Sequence, residues 1–194
     1  EEALKIDPTN IPIRQQLADL YTHQKNPNAY STLCKLADAY WESGQLDKAM
    51  DSFKTALSIQ PNDESLLRSM ANLYLQLDRQ NEATKILYQL AKLSIDKNPK
   101  VASQLAQEIL QVDSGHYDGR KLLAEAFLKS DAKWDAIREY SVLADYFAKA
   151  DKKQDLINIY YTILELEPNN LDVYSKLIAI YESSQQTKEL LPLL

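Results

Sequence analysis

One short pattern recurs along the chain: an apolar residue, a small residue directly after it, and an aromatic three positions further on. It occurs as Leu17-Ala18…Tyr21, Leu36-Ala37…Tyr40, Met70-Ala71…Tyr74, Leu123-Ala124…Phe127 and Leu143-Ala144…Phe147, with Leu90-Ala91…Ser94 and Leu177-Ile178…Tyr181 as variants. Positions i, i+1 and i+4 share one face of an α-helix. The small residue lets a second helix approach, and the aromatic fills the gap one turn on. Such a pattern commits the chain to amphipathic helices stacked on one another.

The copies keep a fixed interval. Leu17, Met70, Leu123 and Leu177 lie 53, 53 and 54 residues apart; Leu36, Leu90 and Leu143 lie 54 and 53 apart; Ala56, Ile109 and Ile163 lie 53 and 54 apart. The stretches KIDPTN, SIQPND, QVDSGH and LEPNN close successive units with Pro or turn formers. A three-helix unit of about 53 residues follows. First helices are expected to start near residues 11, 64, 117 and 171, middle ones near 28, 81 and 134, and last ones near 46, 100 and 152. Asn26-Pro27 and Asn98-Pro99 read as an N-cap residue followed by a first-turn Pro, and Gly44 reads as a C-cap. The domain expectation is a single array over 1–194, with units 11–63, 64–116 and 117–170 and partial units 1–10 and 171–194.

Residues 30–63 resemble the tetratricopeptide repeat family, through Leu36, Ala37, Tyr40, Gly44, Ala49, Phe53, Ala56 and Pro61. Residues 137–170 are similar through Leu143, Ala144, Phe147, Tyr160 and Pro168, and residues 64–97 through Ala71, Tyr74 and Ala83 without the closing Pro. The family's usual period holds only locally, because the middle helix of each unit carries marks of both members of a hairpin. The resemblance implies an all-α, right-handed superhelix of about eleven helices with a groove for an extended or helical peptide. Pairing outward from the best match makes 30–43 inner with 46–59 outer, 64–77 with 80–96, 100–112 with 117–130, and 137–150 with 152–166, leaving 171–184 inner.

Composition narrows the function. With 3 glycines there is little material for phosphate loops. The net charge of −6 and a pI near 5.0 argue against nucleic acid or anionic membrane as partners. No apolar run reaches the roughly 20 residues of a membrane span, so no membrane insertion is expected. Cys34 is the one cysteine; it reads as a packed or half-exposed thiol and fits a reducing compartment. The opening EEALKIDP, without Met, is expected to be the middle of a helix in an excised fragment, and no leader is expected at Glu1. A cytoplasmic location is expected, with the periplasm left open.

No catalytic set emerges. His23 and His116 read as surface histidines without further metal ligands at useful spacing. Glu165 and Glu167 point apart on a helix end and read as solvated charge. No enzyme activity, cofactor or metal is expected. The groove side of the inner helices is expected to carry Lys35, Asp38, Trp41 and Glu42, then Arg68, Asn72 and Leu75, then Asp145 and Lys149. Trp41 follows the core Tyr40; it either packs on a neighbouring helix or anchors a partner. Arg68 and Asn72 faintly resemble the family's clamp for a peptide carboxylate, but Asp118 and Leu122 stand where further cations are wanted. A protein or peptide ligand is the expected partner. Self-association through the ends EEALKI and ELLPLL is the alternative.

Overall fold

The computed structural model describes residue 7 and residues 10–183. Those residues form ten α-helices and no strand: α1 (Ile11–His23), α2 (Ala29–Glu42), α3 (Leu46–Ile59), α4 (Glu64–Gln76), α5 (Gln80–Ser94), α6 (Pro99–Val112), α7 (Tyr117–Lys129), α8 (Lys133–Lys149), α9 (Lys153–Leu166) and α10 (Leu171–Ser183). The helix expected within residues 1–10 and the apolar tail lie outside the described residues. The chain forms two compact units, Glu1–Leu93 and Ser94–Leu194.

Local chemistry sets where helices begin. Asn10, Asp63, His116 and Asn170 each accept a hydrogen bond from the backbone N–H three residues on, at 3.1, 2.9, 2.9 and 3.0 Å. They cap α1, α4, α7 and α10, so all four first helices start at the expected residues. Asn98 caps α6 in the same way, with Pro99 in the first turn. Asn26 behaves otherwise. Its side chain accepts from the N–H of Asn28 at 2.9 Å, a turn before the helix, and α2 begins at Ala29. Asn26-Pro27 is therefore a turn, not a cap.

Helix ends follow one rule in five cases. The aromatic carbonyls of Tyr21, Tyr40, Tyr74, Phe127 and Phe147 accept the N–H five residues on, from Asn26, Gln45, Arg79, Ala132 and Lys152, each at 2.9 Å. The residue before each donor is left-handed: Lys25, Gly44, Asp78, Asp131 and Asp151, with φ of 51, 76, 54, 58 and 52°. This is the Schellman ending. Gly44 was the expected C-cap; the four non-glycine positions were not legible.

Within each unit consecutive helices pack on one another. In the first, α2 packs broadly on α3, with Leu36, Ala37, Met50 and Phe53 almost fully buried. In the second, α7 packs about equally on α6 and α8. Gly119 sits so close to α6 that a Cβ there would lie 2.8 Å from Ile109 Cγ2. Arg120 Nη1 donates to the buried carboxylate of Glu139 at 2.8 Å, tying α7 to α8. The stripe aromatics Tyr21, Tyr40, Tyr74, Phe147 and Tyr181 are buried as expected, and Phe127 is half-buried.

Two glycine substitutions separate backbone strain from packing. Nothing lies within 4 Å of a Cβ at Gly44, so Gly44→Ala is charged only for its left-handed φ, about 1–2 kcal/mol. Gly119→Ala meets Ile109 and is expected to cost about 1–3 kcal/mol by overpacking. In urea unfolding, an Ile109→Ala background shrinks the Gly119→Ala cost and leaves that of Gly44→Ala unchanged. Equal behaviour of the two would contradict this assignment.

Candidate interaction surface

In the first unit the expected site residues fall on α2 and α4. Lys35, Asp38 and Glu42 are exposed on α2; Asn72 and Leu75 are exposed on α4, and Arg68 is half-buried. Trp41 is half-buried. Its ring meets Phe53 of α3 edge-to-face at 6.1 Å, and its Nε1 donates to Oε1 of Gln76 on α4 at 2.8 Å. Both its apolar and its polar parts are thus used inside the fold. This bond also brings the last turns of α2 and α4 together, which sequence reasoning missed because Gln76 lies outside the apolar pattern.

Electrostatics on this surface follow from neighbours. Burial, then the like charge of Glu42 one turn on, pushes the Asp38 carboxyl up, while Arg14 from α1 pulls it down. Lower on α2, Tyr30 and Cys34 lie beside Asp63, the cap of α4. Burial and then the hydrogen bond to Asp63 raise the Tyr30 phenol. Burial pushes the Cys34 thiol up, against the pull of its hydrogen bond with Tyr30. The Ser65 hydroxyl at 2.6 Å, then the Leu66 N–H and Tyr30, hold the Asp63 carboxyl below its usual range.

On the other side of α2 an open cleft of about 650 Å³ lies between α1, α2 and α3, lined among others by Asp19, Tyr40, Lys48 and Asp51. The Tyr40 hydroxyl donates to Gln15 Oε1 at 3.0 Å, and Lys48 Nζ lies 5.5 Å from the Tyr40 ring centre.

In the second unit Asp145 and Lys149 are exposed one turn apart on α8. Beside them runs an exposed stripe at four-residue spacing: Trp134, Arg138, Val142 and Tyr146. Trp134 is 68% exposed. The signal was available, since Trp134 falls outside the Ala136, Tyr140 and Leu143 stripe of the same helix.

The remaining candidates resolve simply. His23 is exposed at the end of α1. His116, expected on the surface, is half-buried as the cap of α7. Glu165 is exposed, whereas Glu167 Oε2 accepts from Asn170 Nδ2 at 2.7 Å. Among the described residues no group of three or more His, Cys, Asp or Glu could hold a metal, and no helix is long and apolar enough to cross a membrane.

Residues 30–63, which span α2, α3 and the cap of α4, match the tetratricopeptide repeat family model. The chain carries a tetratricopeptide repeat. Its α2–α3 hairpin is the repeat's helix pair, and Asp63 is both its last residue and the cap of the next helix. Among solved structures, a tetratricopeptide repeat protein from Parabacteroides merdae is 17% identical, with 97% of this chain and 72% of that chain covered and a TM-score of 0.36. YrrB, described as a tetratricopeptide protein with an unusual peptide-binding site, is 12% identical over 79% of this chain and 94% of its own, with a TM-score of 0.33. The 131 kDa subunit of transcription factor tau from Saccharomyces cerevisiae is 24% identical over 80 residues, which are 41% of this chain and 8% of that protein. The chain therefore aligns with a small part of that relative.

The hydrogen bonds that Asp63 accepts are expected to make the repeat junction acid-sensitive. The folded value of Asp63 is depressed, so its stabilisation is fully present above the unfolded carboxylate value of about 3.9 and is lost as pH falls through the lower folded value. Asp63→Asn keeps a cap without the charge. Between about pH 5 and about pH 2.5, urea midpoints of the wild type are expected to fall further than those of Asp63→Asn. Parallel falls would contradict the assignment.

Proposed function

We propose that the chain is a non-catalytic scaffold that binds a protein or peptide along the α2/α4 face of its first unit. The observation that carries this reading is the tetratricopeptide repeat at residues 30–63, whose stripe is spent on the core. What α2 and α4 leave outside is a mixed face of Lys35, Asp38, Glu42, Asn72 and Leu75. Both helices have Schellman endings and α4 has the Asp63 cap, so these groups are presented with little ordering to be done on binding, which favours affinity from a few anchors. Asp145 and Lys149 extend the reading to a face of the second unit, and Trp41 and Arg68 act from half-buried positions at the edge of the first. The unit boundaries 11–63, 64–116 and 117–170 belong to the same reading. The yeast relative is named as a subunit of a transcription factor, and membership of an assembly is the role a scaffold of this kind fills.

The test uses exposed residues, because truncating Trp41 would remove the Phe53 and Gln76 contacts and confound folding with binding. A partner is first identified by crosslinking in native extract and then purified. Its affinity is measured for the wild type, for Asn72→Ala/Leu75→Ala and for Asp51→Ala on α3, after equal melting temperatures are verified. At least a tenfold loss, about 1.4 kcal/mol, is expected for the α4 pair alone. Unchanged binding by that pair, or an equal loss at Asp51, would move the site elsewhere. A change in oligomer size on trimming residues 1–10 and 185–194, with binding intact, would favour self-association through the ends.

A further inference from the structure

Four helices start at 53- or 54-residue intervals, each capped by the side chain just before it: Asn10, Asp63, His116 and Asn170. Three of these caps are oxygen atoms. The fourth is the imidazole of His116, whose Nδ1 accepts the Gly119 N–H at 2.9 Å. A ring nitrogen that accepts carries no proton, so the cap requires the neutral ring with its proton on Nε2. Protonation at Nδ1 turns the acceptor into a donor that confronts the Gly119 N–H. It also puts a positive charge at the positive end of the helix dipole. An asparagine cap has no such second state.

The first turn of α7 is where three helices meet, so its opening does not stay local. Gly119 lies against Ile109 of α6 with no room for a methyl group. Arg120 holds Glu139 of α8 at 2.8 Å and the Ser114 carbonyl at 3.1 Å. Tyr117 packs on Phe147 of α8 at 6.2 Å, with Lys152 Nζ 5.5 Å from the Tyr117 ring centre. Charged groups join the same joint: Arg120 on α7 pairs with Glu139 on α8, Lys152 lies over Tyr117, Asp113 accepts the Gly115 N–H in the loop, and Asp118 lies in the first turn of α7.

We propose that His116 is an acid-sensitive latch of the second unit. Protonation of the ring takes away the acceptor of the Gly119 N–H, releases the first turn of α7 and loosens the α6–α7–α8 joint, while the α1, α4 and α10 caps, which are oxygen atoms, stay closed.

The test compares the full chain with His116→Asn at about pH 7.5 and about pH 5.5. Asparagine already caps α1 and α10, so the variant keeps a cap that does not titrate. Exchange of the Gly119 and Arg120 amides, corrected for intrinsic rates, is expected to quicken about tenfold or more at the lower pH in the wild type. It is expected to stay constant in His116→Asn, and the amides of Leu66 and Leu67 behind the Asp63 cap are expected to stay protected in both. The wild-type melting temperature is expected to fall several degrees further than that of the variant. Equal acid responses in the two proteins would overturn the latch. If His116→Asn does not fold, the wild type decides alone, and unchanged Gly119 protection across the same range would overturn it.

Discussion

Five of the stripe aromatics serve the fold twice, and the rest of the structure depends on that double use. The rings of Tyr21, Tyr40, Tyr74 and Phe147 are buried between helices, and that of Phe127 is partly so, while the carbonyls of all five residues receive the bond that ends the helix. Packing register and helix length are therefore one constraint. A helix cannot slide by a residue to improve its contacts without also moving its own stop. The left-handed residue then falls four positions after the ring whatever its type, and Lys25, Asp78, Asp131 and Asp151 accept a conformation that costs roughly 1–2 kcal/mol for a non-glycine residue. Burial of the stripe at about 0.8 kcal/mol per CH₂ readily offsets this.

The exception is informative. At the end of α5 the stripe position is Ser94, and there the left-handed stop is absent: the Asn98 N–H bonds directly to the Ser94 carbonyl at 2.7 Å, and Asn98 caps the next helix. The division between the two compact units falls at the same place. The last helices α3, α6 and α9 follow a second rule. They end at Gln60, Asp113 and Glu167 in φ near −129, −137 and −132°, and the cap of the following helix comes three residues later. Two kinds of turn, one built on an aromatic and one on a capping side chain, set the spacing of the helices.

The parts legible in the sequence were those with a strong local cause. The starts of the four first helices were read from the repeat interval and the turn formers that close each unit, not from their caps, and the structure supplies those caps as Asn10, Asp63, His116 and Asn170. His116 carried no cap signal at all, because an imidazole acceptor is not among the preferred caps. Gly44 announced a left-handed stop, but the aspartates did not, since aspartate is common in many other turns. Asn26-Pro27 misled because the same dipeptide serves a cap or a turn, and only the Asn28 N–H decides between them. On the candidate site, Asp38, Asn72 and Leu75 were placed by helical spacing, which exposure follows closely. Trp41 could not be decided from spacing, because its place depends on Phe53 and Gln76 in other helices. Trp134 was missed although its position off the stripe was readable.

The proposed function rests on what the stripe leaves over. Helix faces not needed for stacking carry mixed polar and apolar side chains on stiff supports, as a recognition surface requires. The measurement that tests this account most directly is residue-resolved hydrogen exchange of the full chain at the five stop donors, Asn26, Gln45, Arg79, Ala132 and Lys152. Protection well above the unfolded rate at all five, lost together with the helix interiors, is the predicted result. Free exchange at these amides while the helix interiors remain protected would show that the aromatic carbonyls do not end the helices, and would contradict the account.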